Sequence, residues 1–190
     1  MILTIAVLTG LAAGMLRAYL GRRSYRPAEL RHLWLVILAI LPQVLAFYWP
    51  ATRGAFPGWL SGVCLVSSLI GLLAFVWLNR QHKELWLAGL GLAANLVVIV
   101  ANGGWMPISP ATAAALYPGA GVGYGLLGSR LGWSKNIVLA KGSMQLGFLS
   151  DCLLVPGWVP WKYAFSVGDV LIAIGVFWLL WRGGARLEPG

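Results

Sequence analysis

The sequence predicts an all-α fold, a polytopic bundle of transmembrane helices, and three observations support this. Hydrophobic residues occupy 59% of the 190 positions and charged residues only 10%, whereas soluble domains carry about 25% charged residues. The apolar residues are gathered into long runs, as segments that cross a hydrocarbon core require. Tryptophans stand at the ends of these runs, which is typical of residues at membrane–water interfaces.

The apolar runs predict five spans within a single integral membrane domain covering 1–190, at about 2–20, 33–49, 59–78, 85–101 and 163–181. The first run contains Gly10 and Gly14, a spacing of small residues that favours close helix packing. Pro42 lies inside the second run and predicts a distortion of that helix.

Basic residues orient the predicted bundle. The arginine cluster of 17–31 follows the first span, and Arg182 follows the last. Lysine and arginine accumulate in cytoplasmic loops of membrane proteins. We therefore expect a protein of the inner or plasma membrane with its N-terminus outside and its C-terminus cytoplasmic. The basic residues that give the net charge of +9 lie between apolar runs, so they indicate membrane topology and not nucleic-acid binding.

Residues 102–162 interrupt the regular pattern, because they are rich in small residues and broken by prolines and glycines. We predict an extracytoplasmic or partly re-entrant cap before the last helix. In the alternative, residues 110–150 cross the membrane twice, which gives seven spans and places Arg130 and Lys135 in a cytoplasmic turn. Membrane lipids are expected partners in either arrangement, and other membrane subunits are further candidates.

A metal site is not expected. The two cysteines, Cys64 and Cys152, fall at different predicted depths and have no histidine nearby, so they form neither a zinc site nor a disulfide. The sequence points to no particular cofactor.

The stretch "NGGWMP" begins the predicted cap. Asn102 can cap the preceding helix or hydrogen-bond a ligand, and Gly103 and Gly104 allow backbone conformations that other residues avoid. The two interpretations are a capped helix exit and part of a binding site at the outer surface.

Asp151 and Asp169 are the only acidic residues predicted on the outer side. Ionisable groups at membrane depth are costly and often functional. Two interpretations stay open. Asp169 can serve only to start the last helix, with Ser166 as its N-cap. Alternatively, the two carboxylates form an acid–base pair, or Lys141 neutralises one of them.

Three elements carry a resemblance that covers most of the chain: "NGGWMP", "LGFLSD" and "FSVGDVLIAIG". In these the chain resembles a bacterial family of small multi-pass membrane proteins of unknown function. That resemblance implies no activity.

A fainter resemblance is to the lipoprotein signal peptidases. It aligns Asp151 in "GFLSDC" and Asp169 in "FSVGD" with the two catalytic aspartates of that family. Phe148, Cys152 and Ser166 replace the asparagine, arginine and asparagine that help to form the peptidase site.

These observations predict a non-enzymatic membrane protein, either a subunit or a module that binds a ligand or lipid through the cap. Residues 102–104, Lys141 and Ser166 are its candidate binding residues. The first alternative is an intramembrane aspartyl hydrolase, in which one of Asp151 and Asp169 activates water and the other protonates the leaving group. The second alternative is a small transporter.

Overall fold

Five long helices run back and forth between two ends of the molecule. The computed structural model describes residues 1–118, 124–159 and 161–183. The helices are α1 (Ile2–Leu20), α2 (Leu33–Gln43, continued by a π-helical turn at Val44–Tyr48), α3 (Gly58–Leu78), α4 (Glu84–Ala101), the short α5 (Pro110–Leu116) and α6 (Val167–Arg182). We call the end with the first residues of α1, α3 and α6 the cap end, and the opposite end, with Arg17 and Arg182, the basic end.

Three of the helices, α1, α3 and α4, are long and apolar enough to cross a membrane, and Leu33–Tyr48 forms a shorter apolar helix. The outward side of α3 illustrates this apolar character. Val63, Ile70 and Trp77 are all exposed, and their seven-residue spacing places them along one side of the helix. An apolar stripe of this kind is stable against lipid tails. The predicted helical architecture is thus supported in part, by a mostly helical chain with three helices that are long and apolar enough to cross a membrane.

The helices pack in the order α2–α3–α4–α6–α1, so neighbours in space are not always neighbours in sequence. Glycines permit the closest approaches. A Cβ on Gly10 would lie 3.0 Å from the Phe177 carbonyl oxygen, and one on Gly14 would lie 2.6 Å from that of Leu180. The predicted small-residue packing of α1 is therefore confirmed, and its partner is α6.

The crossing of α4 and α6 is equally close. A side chain on Gly91 would meet the Gly168 carbonyl oxygen, and one on Gly175 would meet the backbone nitrogen of Ala88 at 2.6 Å. This crossing fixes the first turn of α6 beside the middle of α4, where Asn95 is buried.

Helix α2 is distorted where the sequence predicts it. Pro42 lies inside the helix and the π-helical turn begins two residues later, at Val44. Proline removes a backbone donor and crowds the preceding turn, so the hydrogen-bond ladder must change near it. The π-helical turn ends at Tyr48, at the cap end.

The segment between α4 and α6 forms a compact cap with two small sheets, which corrects the prediction of a purely α-helical chain. Strand β1 (Met106–Ile108) pairs in parallel with β2 (Asn136–Val138), and β3 (Leu153–Leu154) pairs antiparallel with β4 (Ala164–Phe165). Parallel pairing joins residues about thirty positions apart, which local sequence patterns do not show. Met106, Ile108 and Val138 are completely buried.

The described part of this cap contains no helix longer than the seven residues of α5. Two further membrane-spanning helices, as the seven-span alternative requires, are therefore absent from residues 102–118 and 124–159. A span takes about 20 residues of helix, and the described residues of the cap form no helix of that length.

Candidate functional site

Lys135 joins the cap to the bundle at the centre of the candidate site. Its Nζ lies 3.5 Å from Oδ2 of Asp151 and 3.7 Å from Oδ2 of Asp169. Lys135 directly precedes β2, Asp151 follows the short 3₁₀ turn Gly147–Leu149, and Asp169 lies in the first turn of α6. One ammonium group therefore bridges two carboxylates that are eighteen positions apart in the sequence.

Asp151 is the more deeply buried carboxylate, with a side chain that is 2% exposed. Its Oδ2 also accepts a 2.7 Å hydrogen bond from Nδ2 of Asn136, and its backbone N–H donates to the Pro107 carbonyl at 3.3 Å. Its Oδ1 is buried and has no hydrogen-bond partner among the described residues. Burial of an unpaired carboxylate oxygen is unfavourable, so this atom is the unsatisfied point of the site.

Asp169 is held by the start of α6. Ser166 Oγ accepts from the Asp169 backbone N–H at 3.0 Å, and Asp169 Oδ2 accepts from the Ser166 backbone N–H at 3.3 Å. This reciprocal capping box satisfies two amide donors that a helix start leaves free. The predicted N-cap role of Ser166 is confirmed, and Asp169 completes the same motif.

Asn95 of α4 ties this helix start to the bundle. Its Nδ2 donates to Oδ1 of Asp169 at 2.8 Å, and its Oδ1 accepts from Oγ of Ser166 at 2.8 Å. Asn95 is therefore satisfied at both ends of its amide. The polar network runs from α4 through α6 to Lys135 and on to Asp151 and Asn136 of the cap.

The electrostatics of the cluster favour a charged lysine and oppose a charged Asp151. Burial disfavours the ammonium of Lys135, but Asp151 and Asp169 more than compensate and raise the pKa of this group above its ordinary value. For Asp151, burial raises the pKa of the carboxyl above 3.8, although Lys135 acts in the opposite direction. Two carboxylates and one ammonium leave a net negative charge, and protonation of Asp151 would remove it.

This shift predicts a pH dependence of stability that originates from Asp151. In the window above 3.8, the folded protein retains a proton that the unfolded chain has released, so the free energy of unfolding decreases as the pH rises. We expect Asp151→Asn to remove this contribution. Heat denaturation in detergent micelles between pH 4 and 8 should then give a profile of stability against pH that is flatter for the variant than for the wild type. Parallel profiles for the two proteins would contradict the assignment.

The lysine at the site is Lys135, not Lys141. Lys141 is exposed and forms no ion pair with either aspartate. It lies in a turn after strand β2, in which the Ala140 carbonyl accepts from the Ser143 backbone N–H at 3.0 Å. The prediction that Lys141 neutralises an aspartate is therefore wrong, because a different lysine, Lys135, pairs with the aspartates.

The C-terminal end of α4 is formed by Asn102, Gly103 and Gly104, which are not among the residues of the acidic cluster. Asn102 Nδ2 donates to the Val98 carbonyl at 2.7 Å and to the Gln145 carbonyl at 2.9 Å, and its Oδ1 accepts from the Gln145 backbone N–H at 3.0 Å. Gly103 and Gly104 adopt φ of 72° and 89°, values that favour glycine. These contacts support the capped helix exit.

Replacing Asn102 by alanine should loosen the part of the cap that it holds. The change removes both hydrogen bonds to Gln145, and we expect a loss of about 1–2 kcal/mol of stability from neutral bonds of this kind. Hydrogen exchange of the Gln145 amide should accelerate, while exchange in α1 stays unchanged. Unaltered exchange at Gln145 would show that Asn102 does not fix this segment.

Sequence reasoning missed Lys135 as a site residue and did not connect Asn95 and Asn136 with the aspartates. A buried asparagine within an apolar run was one available signal, because such a group needs a partner. Lys135 gave no comparable signal, since its position depends on the parallel pairing of β1 with β2. The described residues also contain no group of three or more histidine, cysteine, aspartate or glutamate side chains placed to hold a metal ion.

Comparison with known proteins identifies one family. A family model described as "Family of unknown function (DUF5317)" matches residues 27–181. The matched range begins after α1 and contains α2 to α5, the cap, all of α6 except its last residue, and the Lys135–Asp151–Asp169 cluster. No curated protein and no solved structure matches the chain significantly.

Proposed function

We propose that this chain, which belongs to the DUF5317 family of unknown function, is a non-enzymatic integral membrane subunit that engages a partner through its outer cap. The observation that carries the proposal is the position of Lys135. Its ammonium lies between two carboxylates from different parts of the chain, so the acidic pair serves to dock the cap on α6. We take the bundle to make five crossings, with the cap outside and the basic end cytoplasmic.

A docked cap provides a fixed surface, and its β3–β4 hairpin is the part best suited to contact a partner. Leu153 and Leu154 are exposed in β3, and Trp158 and Trp161 in the following connection are 84% and 63% exposed. Large aromatic side chains are enriched in protein interfaces and at membrane surfaces. We define these four residues as the hairpin surface and propose that it binds another membrane protein.

Native mass spectrometry after gentle extraction from the cell's own membrane tests the subunit function. We expect a reproducible protein partner with the wild-type chain, and loss of that partner with Trp158→Ser and Trp161→Ser. Trp59→Ser is the matched control, because Trp59 is 71% exposed at the same end of the bundle but outside the hairpin.

The other results of this experiment have definite meanings. A partner that persists in both hairpin variants would place the contact elsewhere and contradict the proposed surface. A chain that carries only lipid would contradict the subunit function and favour a module that binds lipid through the cap.

The hydrolase is the second candidate, because Asp151 and Asp169 do converge and Asp151 Oδ1 has no described partner. In such an enzyme, a protonated Asp151 would act as the acid and Asp169 as the base. The faint resemblance to lipoprotein signal peptidases belongs to this alternative. Against it, Lys135 lies between the groups that would have to share a water molecule.

A variant comparison separates the two candidates. A hydrolase predicts that Asp169→Asn abolishes cleavage of a membrane-anchored peptide while the cap stays docked. The docking function predicts instead that Asp169→Asn releases the cap, seen as faster hydrogen exchange at Asn136–Val138. Asp169→Glu serves as the control that retains the charge.

A further inference from the structure

A cavity of about 590 Å³ opens at the basic end, far along the helices from the cap. Its lining includes four cationic side chains, namely Arg17 from α1, Arg26 from the α1–α2 connection, Lys83 from the turn before α4, and Arg182 from α6. Four separate parts of the chain thus direct positive charge to one place. A volume of this size lies within the range of small-molecule sites.

The acidic side chains of the cavity do not balance these cations. Glu84 and Glu29 are the two carboxylates in its lining. Glu84 is buried and engages Arg182 Nη1 in a 2.6 Å ion pair, so its charge is already compensated within the wall. The remaining lining has more cations than anions, and an incoming anion would correct that excess.

Two tryptophans lie at the basic end, and one of them contacts the lining residue Arg17. The Arg17 guanidinium lies 5.0 Å from the centre of the Trp181 ring, and that of Arg80 lies 5.3 Å from the centre of the Trp77 ring. Trp77 and Trp181 are both exposed, at 64% and 39%. Tryptophan side chains at helix ends lie at the headgroup level of a bilayer, so the cavity opens where phospholipid headgroups are found.

We propose that this cavity binds a phosphate-bearing anion, supplied by the headgroup of an anionic phospholipid. Arg17 and Lys83 both line the cavity, one from the last turns of α1 and the other from the turn before α4. Arginine offers a planar pair of donors to phosphate oxygens, and lysine offers a compact charge. The site is independent of the cap and of the subunit function, since it uses none of the residues of the Lys135 cluster.

Binding of short-chain lipids to the full-length protein in non-ionic detergent micelles tests this site. The probes are dihexanoyl phosphatidylglycerol, dihexanoyl phosphatidylcholine and inorganic phosphate. We expect phosphatidylglycerol to bind and phosphatidylcholine not to bind, and the affinity for phosphatidylglycerol to fall about tenfold in Arg17→Gln and in Lys83→Gln, as loss of one charge-assisted contact implies.

Arg53→Gln is the matched control, because Arg53 also lies over a tryptophan ring, at 5.4 Å from Trp133, but near the cap. It should leave the affinity unchanged. Equal binding of inorganic phosphate and phosphatidylglycerol would retain the anion site and assign it to a soluble phosphate. Equal binding of the two lipids, or undiminished affinity in both glutamine variants, would overturn the proposal.

A second measurement uses only the wild-type protein and so does not depend on the folding of the variants. Because the contact is ionic, the affinity for phosphatidylglycerol should decrease as potassium chloride is added. Affinity that is unchanged from low to high salt would also overturn the proposal.

Discussion

Lys135→Met is expected to lower the free energy of unfolding by about 3 kcal/mol, the lower part of the range for breaking a buried ion pair from one side. The change leaves Asp151 and Asp169 facing each other without the ammonium that lies 3.5 and 3.7 Å from them. Unfolding in detergent, followed by tryptophan fluorescence, measures the global loss. Hydrogen exchange at Asn136–Val138 measures the release of the cap.

A double variant isolates the electrostatic part of this effect. Lys135→Met combined with Asp151→Asn removes the ammonium and one carboxylate together, so Asp169 keeps only its bonds to Asn95 and Ser166. We expect about half of the lost stability to return, which is a coupling of the size found between residues in one network. Full additivity of the two single changes would show that Lys135 and Asp151 do not interact in the folded protein.

Gly91→Leu is expected to have the other large effect, with a loss of at least about 3 kcal/mol, the upper part of the usual range for overpacking. A side chain at Gly91 would collide with the Gly168 carbonyl oxygen and would approach the backbone nitrogen of Ile172 within 2.9 Å. Because backbone atoms cannot move aside as side chains do, α4 and α6 must separate. The first turn of α6, which carries Asp169, would then shift away from Asn95.

The control for this change is Gly142→Leu, because a Cβ at Gly142 meets nothing within 4 Å and this residue does not have a positive φ. Unfolding of both variants in detergent gives the comparison. Gly91→Leu should unfold at a lower denaturant concentration than the wild type. Gly142→Leu should unfold at the same denaturant concentration as the wild type. Equal stability of the two leucine variants would mean that α4 and α6 do not pack as closely as described.

The helices were predictable because each depends on a local property of the chain. The predicted first span, 2–20, coincides with α1 (Ile2–Leu20), and the run 85–101 differs from α4 (Glu84–Ala101) by one residue. The length of a continuous apolar run can be read directly from the sequence, and the thickness of the bilayer sets the length that a spanning helix needs. The close packing at Gly10 and Gly14 was also visible, since small residues at this spacing leave room for a neighbouring backbone.

The cap was less predictable, because its structure depends on contacts between distant residues. The strands β1 and β2 are only three residues each, too short to show a clear alternation. Their pairing is what places Lys135 near Asp151. The aspartates could be identified from the sequence because acidic residues are scarce in this chain and these two lie outside the basic end. Their lysine partner could not be identified in this way, because it is one of several basic residues in the cap.

The packing order α2–α3–α4–α6–α1 has a consequence for biosynthesis. Helix α1 has its main contact with α6, which is made later. About 145 residues separate the end of α1 from the start of α6. During synthesis α1 therefore enters the bilayer before α6 exists and stays surrounded by lipid until those residues have been added. Once α6 is complete, it contacts both the cap and α1. A chain that stops before Val167 would therefore lack the main contact of α1.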